Sequence, residues 1–170
     1  MNKKSVLYIR HAKSSWDHFG ISDLERPLNE RGNKTAPRMA ELIHLRYPDS
    51  HPMILSSPAM RAIQTAKYFA IEFKQSVDNI RVHEGLYSGD ESNYLECLTE
   101  LSDDIELVFV FGHNPTIESL VAKFVNAYHG LVPTCSIFHC INLQNSWNYL
   151  SYHDLSIQDY YFPKLSLTKI

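Results

Sequence analysis

Val6-Leu7-Tyr8-Ile9-Arg10-His11-Ala12-Lys13 sets four apolar residues directly before a guanidinium and an imidazole. A short apolar run of this kind predicts a buried strand. Its end delivers Arg10 and His11 to the edge of a sheet. Two further stretches repeat the design. Pro52 to Ser56 predicts a second strand running into Ser57-Pro58, with Arg61 one turn inside the helix behind it. Ile105 to Phe111 predicts a central strand running into Gly112-His113-Asn114-Pro115. Ser-Pro and Asn-Pro both read as a cap followed by a first-turn proline.

Working outward, helical spacing fills the intervals. A helix opens near Asn29 with Ala36, Met39, Ala40, Ile43 and Tyr47 on one face, and Pro37 inside it predicts a kink or a late start. Ala59, Ala62, Ile63, Ala66, Phe69, Ala70 and Phe73 line the next helix. Ile80 to His83 reads as a strand. Asp90 caps a helix carrying Tyr94, Leu95, Leu98 and Leu101, and Ile117, Leu120, Val121, Phe124 and Val125 follow Pro115. Ser136 to Leu143 and Trp147 to His153 read as a closing hairpin turning at Gln144-Asn145-Ser146. The tail from Asp159 has no clear pattern. Strands alternating with helices predict an α/β fold, a three-layer α/β/α sandwich. Its central sheet is mostly parallel with an antiparallel edge, and residues 1–170 form a single domain.

Composition narrows the function. The 170 residues carry 16 basic and 19 acidic side chains, a net charge of −3, which argues against a nucleic-acid partner. No apolar run approaches the ~20 residues of a membrane span. The apolar run behind the basic start is too short for a signal sequence. Cys97, Cys135 and Cys140 are odd in number and match no zinc spacing, so they read as free thiols. The expectation is a cytoplasmic protein with no membrane partner.

In open α/β sheets, ligands bind beyond the carboxyl ends of the strands. Arg10, His11, Arg61 and His113 are therefore expected in one pocket. Each has an ordinary alternative. A lone histidine at a strand end is commonly just hydrogen-bonded, a lone arginine is commonly solvated, and Asn-Pro is a common cap. The weight lies in all four falling at strand ends of one small domain. Two guanidiniums fork onto phosphate oxygens. Two imidazoles add donors or a nucleophile, and no acidic cluster suited to Mg²⁺ accompanies them. The combination suits a tetrahedral dianion handled without metal or cofactor. Ser14 and Ser15 are further donors from the first loop. Lys13, Arg26, Arg31 and Arg38 read either as a basic rim or, preferably, as solvated residues. His83, His129, His139 and His153 read as structural, and His18, His44 and His51 as exposed.

Leu7 to Asp17 (LYIRHAKSSWD), Ser56 to Ala66 (SSPAMRAIQTA) and Val110 to Pro115 (VFGHNP) resemble three motifs of the histidine phosphatase superfamily. These are its nucleophile, second-arginine and second-histidine motifs. Arg26 to Gly32 (RPLNERG) and His83 to Asp90 (HEGLYSGD) resemble segments of the small SixA-type phosphohistidine phosphatases. The resemblance covers nearly the whole chain, in order, and implies a phosphoglycerate mutase-like fold. It implies that His11 is the nucleophile, forming a covalent phosphohistidine, with Arg10, Arg61 and His113 holding the phosphoryl oxygens. Glu84 matches the position where the family places a proton donor.

Two residues depart from the pattern. Ala12 stands where the wider family has Gly, and Asp17 where mutase-like relatives often place Asn. A carboxylate beside phosphate repels it, so Asp17 is expected to face elsewhere or to pair with Lys13. The intervals from Arg61 to Glu84 and from Glu84 to His113 are nearly used up by one helix and one strand each. They leave no room for a lid domain, which predicts a shallow, open pocket. The expected function is a metal-independent phosphatase acting on phosphohistidine in a signalling phosphotransfer protein. The alternatives are a phosphatase of small phosphate esters, a non-catalytic phosphate-binding module, and a metal hydrolase built on His11, Asp17 and His113.

Overall fold

The computed structural model describes residues 4–16, 20–124 and 131–166. Asp17, His18, Val125 and His129 lie outside the described residues. The elements in chain order are β1 (Ser5–Arg10), α1 (Glu30–His44), β2 (Met53–Ser56), α2 (Met60–Glu72), β3 (Arg81–Val82), α3 (Gly85–Ser88) and α4 (Glu91–Thr99). They continue with β4 (Leu107–Gly112), α5 (Thr116–Phe124), β5 (Ile137–Asn142), β6 (Leu155–Tyr161) and α6 (Pro163–Ser166). The sheet order is β3-β2-β4-β1-β5-β6. The first four strands are parallel, and β5 and β6 run antiparallel at one side.

Alternation along the central strands divides the core in two. Leu7, Ile9, Ile54, Phe109 and Phe111 pack against α1 and α2. Val6, Tyr8, Leu55, Val108 and Val110 pack on the other face against α4 and α5. Three layers follow from that division. The register pairs Arg10 with Gly112 and Ser56 with Phe111. The three strand ends picked out by the sequence therefore finish level with one another.

Local chemistry explains the helix starts. Asn29 caps α1 by accepting the Gly32 amide at 2.9 Å. That helix starts no later than expected and runs unbroken past Pro37. Gly32 admits the Lys13 carbonyl, which a Cβ at that position would overlap. The Asn29 amide donates to the same carbonyl at 2.9 Å, so the first loop docks on the start of α1. Asp90 and Asn93 form a capping box on α4.

Three expectations need correction. The helix behind β4 starts at Thr116, so Pro115 precedes its first turn, and its carbonyl accepts the Ser119 amide at 3.0 Å. The helix behind β2 starts at Met60, with Ala59 as its cap. Ser57 instead accepts the Ala59 amide at 3.2 Å from just outside, and the Met60 amide goes to the Leu24 carbonyl at 2.8 Å. The closing hairpin is also displaced. Asp103 takes the Trp147 amide at 2.7 Å and the Ser146 hydroxyl at 2.9 Å. The buried Trp147 indole donates to the Ile105 carbonyl at 2.9 Å. That segment therefore docks on the loop before β4, and pairing with β5 begins only at Leu155.

Cys97, Cys135 and Cys140 are free and buried. Burial pushes the thiols of Cys97 and Cys135 up to about 12, and that of Cys140 is also raised. No helix among the described residues is long and apolar enough to cross a membrane.

Candidate active site

β1 hands His11 to the sheet edge with its ring buried. Its amide donates to the Gly112 carbonyl at 3.0 Å, and its carbonyl accepts the Cys135 amide at 3.1 Å. The backbone on both sides is thus fixed. His11 Nδ1 lies 2.7 Å from the carbonyl oxygen of Ala12. A carbonyl only accepts, so Nδ1 carries the proton and Nε2 keeps its lone pair. Burial pushes the His11 pKa down to about 3. The Ala12 carbonyl opposes that shift, and the charges of Arg61, Arg10 and Arg26 reinforce it. The ring is neutral at any physiological pH.

Ala12 costs no backbone strain. Among the described non-glycine residues, positive φ occurs at Lys74, Cys135 and Tyr149, not at Ala12. The Ala12 amide donates to Thr65 Oγ1 at 3.1 Å, and that hydroxyl donates to the Arg61 carbonyl at 2.7 Å. One threonine on α2 therefore ties the first strand end to the arginine of the second.

His113 follows β4 and is equally buried. Its amide donates to the Tyr94 hydroxyl at 3.0 Å, and Tyr94 donates to the Leu86 carbonyl at 2.9 Å. The hydroxyl fits there because Gly112 has no side chain, and a Cβ would overlap it. His113 Nε2 lies 2.7 Å from Ser57 Oγ. With the serine proton given to Nε2, the ring proton sits on Nδ1, which is buried and has no partner. Burial, then the neighbouring His11 and Arg61, push the His113 pKa down to about 3.

The two arginines complete the group. Arg10 donates to the Val132 carbonyl, and its Nε is buried and unpartnered. Burial lowers its pKa, against the charge of Glu118. Arg61 is 5% exposed and gives Nη1 to the Asp23 carbonyl at 2.6 Å and Nη2 to Asp23 Oδ2 at 2.9 Å. Its Nε is also idle. Tyr87 donates to the same Asp23 oxygen at 2.9 Å and sets its ring edge-on to His113. Burial raises the Asp23 carboxyl, but the bonds from Tyr87 and Arg61 outweigh it and hold the pKa below the usual range. Buried donors without hydrogen-bond partners, on Arg10, Arg61 and His113, thus accompany a neutral imidazole, a set whose chemistry suits an oxyanion.

Arg10, His11, Arg61 and His113 thus converge. Ser14 is buried in the first loop, where its backbone bridges to Leu28. Glu84 is not drawn in. It is exposed at the start of α3, and its carboxylate makes no hydrogen bond or ion pair among the described residues. Lys13, Arg31 and Arg38 are exposed, but Arg26 is not a solvated residue: only 12% of its side chain is open. His139 is buried against Ser5, Tyr47 and Asp159. His44, expected to be exposed, is half-buried on Glu72, and His153, expected to be structural, is exposed. The sequence reading missed Asp23, Ser57 as a histidine partner, and Tyr87. The spacing of Asp23 to Arg26 and of Glu84 to Tyr87, one helical turn each, was the available signal.

Residues 6–89 match the sequence pattern of the histidine phosphatase superfamily (branch 1). The chain belongs to the histidine phosphatase superfamily. It is accordingly a phosphatase. An uncharacterized protein of Mycobacterium tuberculosis, Rv1276c, is 31% identical over 112 residues, which is 66% of this chain and 66% of that protein. Among solved structures of the superfamily, the chain is similar to the Agrobacterium tumefaciens protein provisionally assigned as phosphohistidine phosphatase SixA. The TM-score is 0.75 with 25% identity, over 96% of this chain and 99% of that one. It shares its fold with the protein histidine phosphatase SixA solved with tungstate, at a TM-score of 0.76 and 23% identity, over 94% and 97% of the two chains.

Proposed function

We propose that this superfamily member is a metal-independent phosphatase that removes the phosphoryl group from phosphohistidine on a signalling phosphotransfer protein. The observation that carries the reading is the bond of His11 Nδ1 to the Ala12 carbonyl inside a ring of guanidiniums. It leaves Nε2 as a nucleophile that stays unprotonated.

In this reading, His11 Nε2 attacks phosphorus in line. A new N–P bond forms as the P–N bond to the substrate imidazole breaks, and the pair of electrons leaves with that imidazole. Arg10, Arg61 and His113 hold the equatorial oxygens and stabilise their spread charge. Water then attacks the phosphorus of phospho-His11, releasing inorganic phosphate and restoring the neutral ring. With a proton on its other ring nitrogen, phosphohistidine expels a neutral imidazole, a good leaving group because its conjugate acid has a reference pKa near ~6.5. The exposed position of Glu84 fits a reaction that needs little help from a proton donor.

The four-residue α3 stands where a lid would need far more chain. A site without a lid would suit a side chain presented by a protein. The SixA likeness supports the same substrate class. Among the described residues, no group of three or more His, Cys, Asp and Glu side chains could hold a metal ion. The buried free thiols suit a reducing compartment such as the cytoplasm. The test is mass spectrometry after mixing with a labile phosphodonor and quenching in alkaline denaturant, since the P–N bond of phosphohistidine hydrolyses in acid. Phosphate on His11 is expected, and phosphate on another residue would refute the assignment.

A further inference from the structure

We propose that Arg26 is a third phosphoryl-holding cation of this site, a role that rests on the phosphatase reading above. Its Nη2 reaches Asp23 Oδ1 at 3.1 Å, and the side chain keeps only 12% of its exposure. Its Nε and Nη1 are buried with no hydrogen-bond partner. Burying a guanidinium with two idle nitrogens is costly unless an anion arrives to use them. The same condition holds for Nε of Arg10, Nε of Arg61 and Nδ1 of His113. Arg26 lies near enough to His11 for its charge to act on that ring alongside those of Arg61 and Arg10.

Two supports hold the guanidinium in place. The Trp16 ring lies 3.6 Å from the guanidinium carbon and offers its π face. Asp23 clamps one edge. Asp23 spends its other oxygen on Arg61 and Tyr87. One carboxylate therefore serves two guanidiniums and cannot neutralise both. The unmet positive charge is what a phosphoryl dianion would find on entering. Trp16 itself is 73% exposed, an unusual place for an indole that this seating role explains. Lysine could not replace Arg26 fully, because an ammonium neither stacks flat on the ring nor presents a rigid fork.

The test is calorimetric titration of orthovanadate, as a phosphate mimic, into the full chain and into R26Q and R26K, with thermal melts alongside. R26Q is expected to bind vanadate about ten- to a hundredfold more weakly, and R26K to lose part of that affinity. A merely structural Arg26 would lower the melting temperature and leave vanadate affinity intact, so wild-type affinity in folded R26Q overturns the role. If R26Q fails to fold, R26K decides, and unchanged affinity there overturns it equally. A wild-type chain that binds no vanadate would sink the phosphatase reading itself. Wild-type binding with an unaltered variant would sink only the role of Arg26.

Discussion

The rings of His11 and His113 sit 5.0 Å apart, centroid to centroid, at an angle of 52°. At that separation two imidazolium charges would repel each other and the guanidiniums beside them. Burial, reinforced by that repulsion, holds both rings neutral, and the Ala12 carbonyl leaves the lone pair of His11 on Nε2.

Removing the His11 ring, the nucleophile in the proposed mechanism, should abolish turnover. H11A is expected to lose at least about 10³-fold in kcat/KM on a phosphohistidine substrate. It should also lose the covalent intermediate: no phosphorylated peptide should appear in alkali-quenched digests. Retained turnover would place the chemistry at a different site.

Acid should destabilise the fold through these two rings. Unfolded, each titrates near ~6.5, and folded, each is depressed to about 3. Between those values the unfolded chain binds more protons, so the stability contributed is complete above about pH 6.5 and declines as pH falls toward 3. Urea midpoints measured from pH 7 to 4 should show the decline. NMR titration of the His11 ring should stay flat from pH 8 to 5, and an inflection near 6.5 would contradict the buried, neutral ring.

Glu84 should matter according to the leaving group. With an alkyl phosphate, whose alkoxide needs a proton, E84Q is expected to lose about 10²-fold in kcat. With phosphohistidine the loss should stay within about threefold, because protonation of the far ring nitrogen already lets a neutral imidazole depart. Equal losses on both substrates would refute this division.

Tyr94 ties two elements to the site and should be costly to change. Y94F removes the acceptor of the His113 amide and the donor to the Leu86 carbonyl in a buried setting. The expected destabilisation is about 1–3 kcal/mol, read from denaturant midpoints. An unchanged midpoint would mean that those groups find other partners.

Chelation should leave the reaction untouched. Dialysis against EDTA is expected to give the same kcat as the untreated enzyme, and loss of activity restored by a divalent ion would overturn the metal-free mechanism.

Much of this was legible because β1, β2 and β4 are short apolar runs that end in chemistry-bearing residues. Parallel pairing then brings Arg10, His11, Arg61 and His113 together without further information. What escaped depended on partners distant in the chain. The start of α2 is set by the Leu24 carbonyl that takes the Met60 amide, and the displaced β6 by Asp103 holding Trp147. Arg26 read as solvated because nothing in its own neighbourhood of sequence reveals Trp16 beneath it. Glu84 matches its motif yet stands exposed, while the following turn carries Tyr87 to Asp23.

The His11 ring is anchored by the carbonyl of the very next residue. Catalytic triads borrow a carboxylate from elsewhere to choose which nitrogen is protonated; here ring and anchor are joined by a single peptide unit. The choice is inherited whole with a few adjacent codons. Changes in loops that leave Gly112, Cys135 and Thr65 in place can reshape what the enzyme accepts while the proton stays on the same nitrogen.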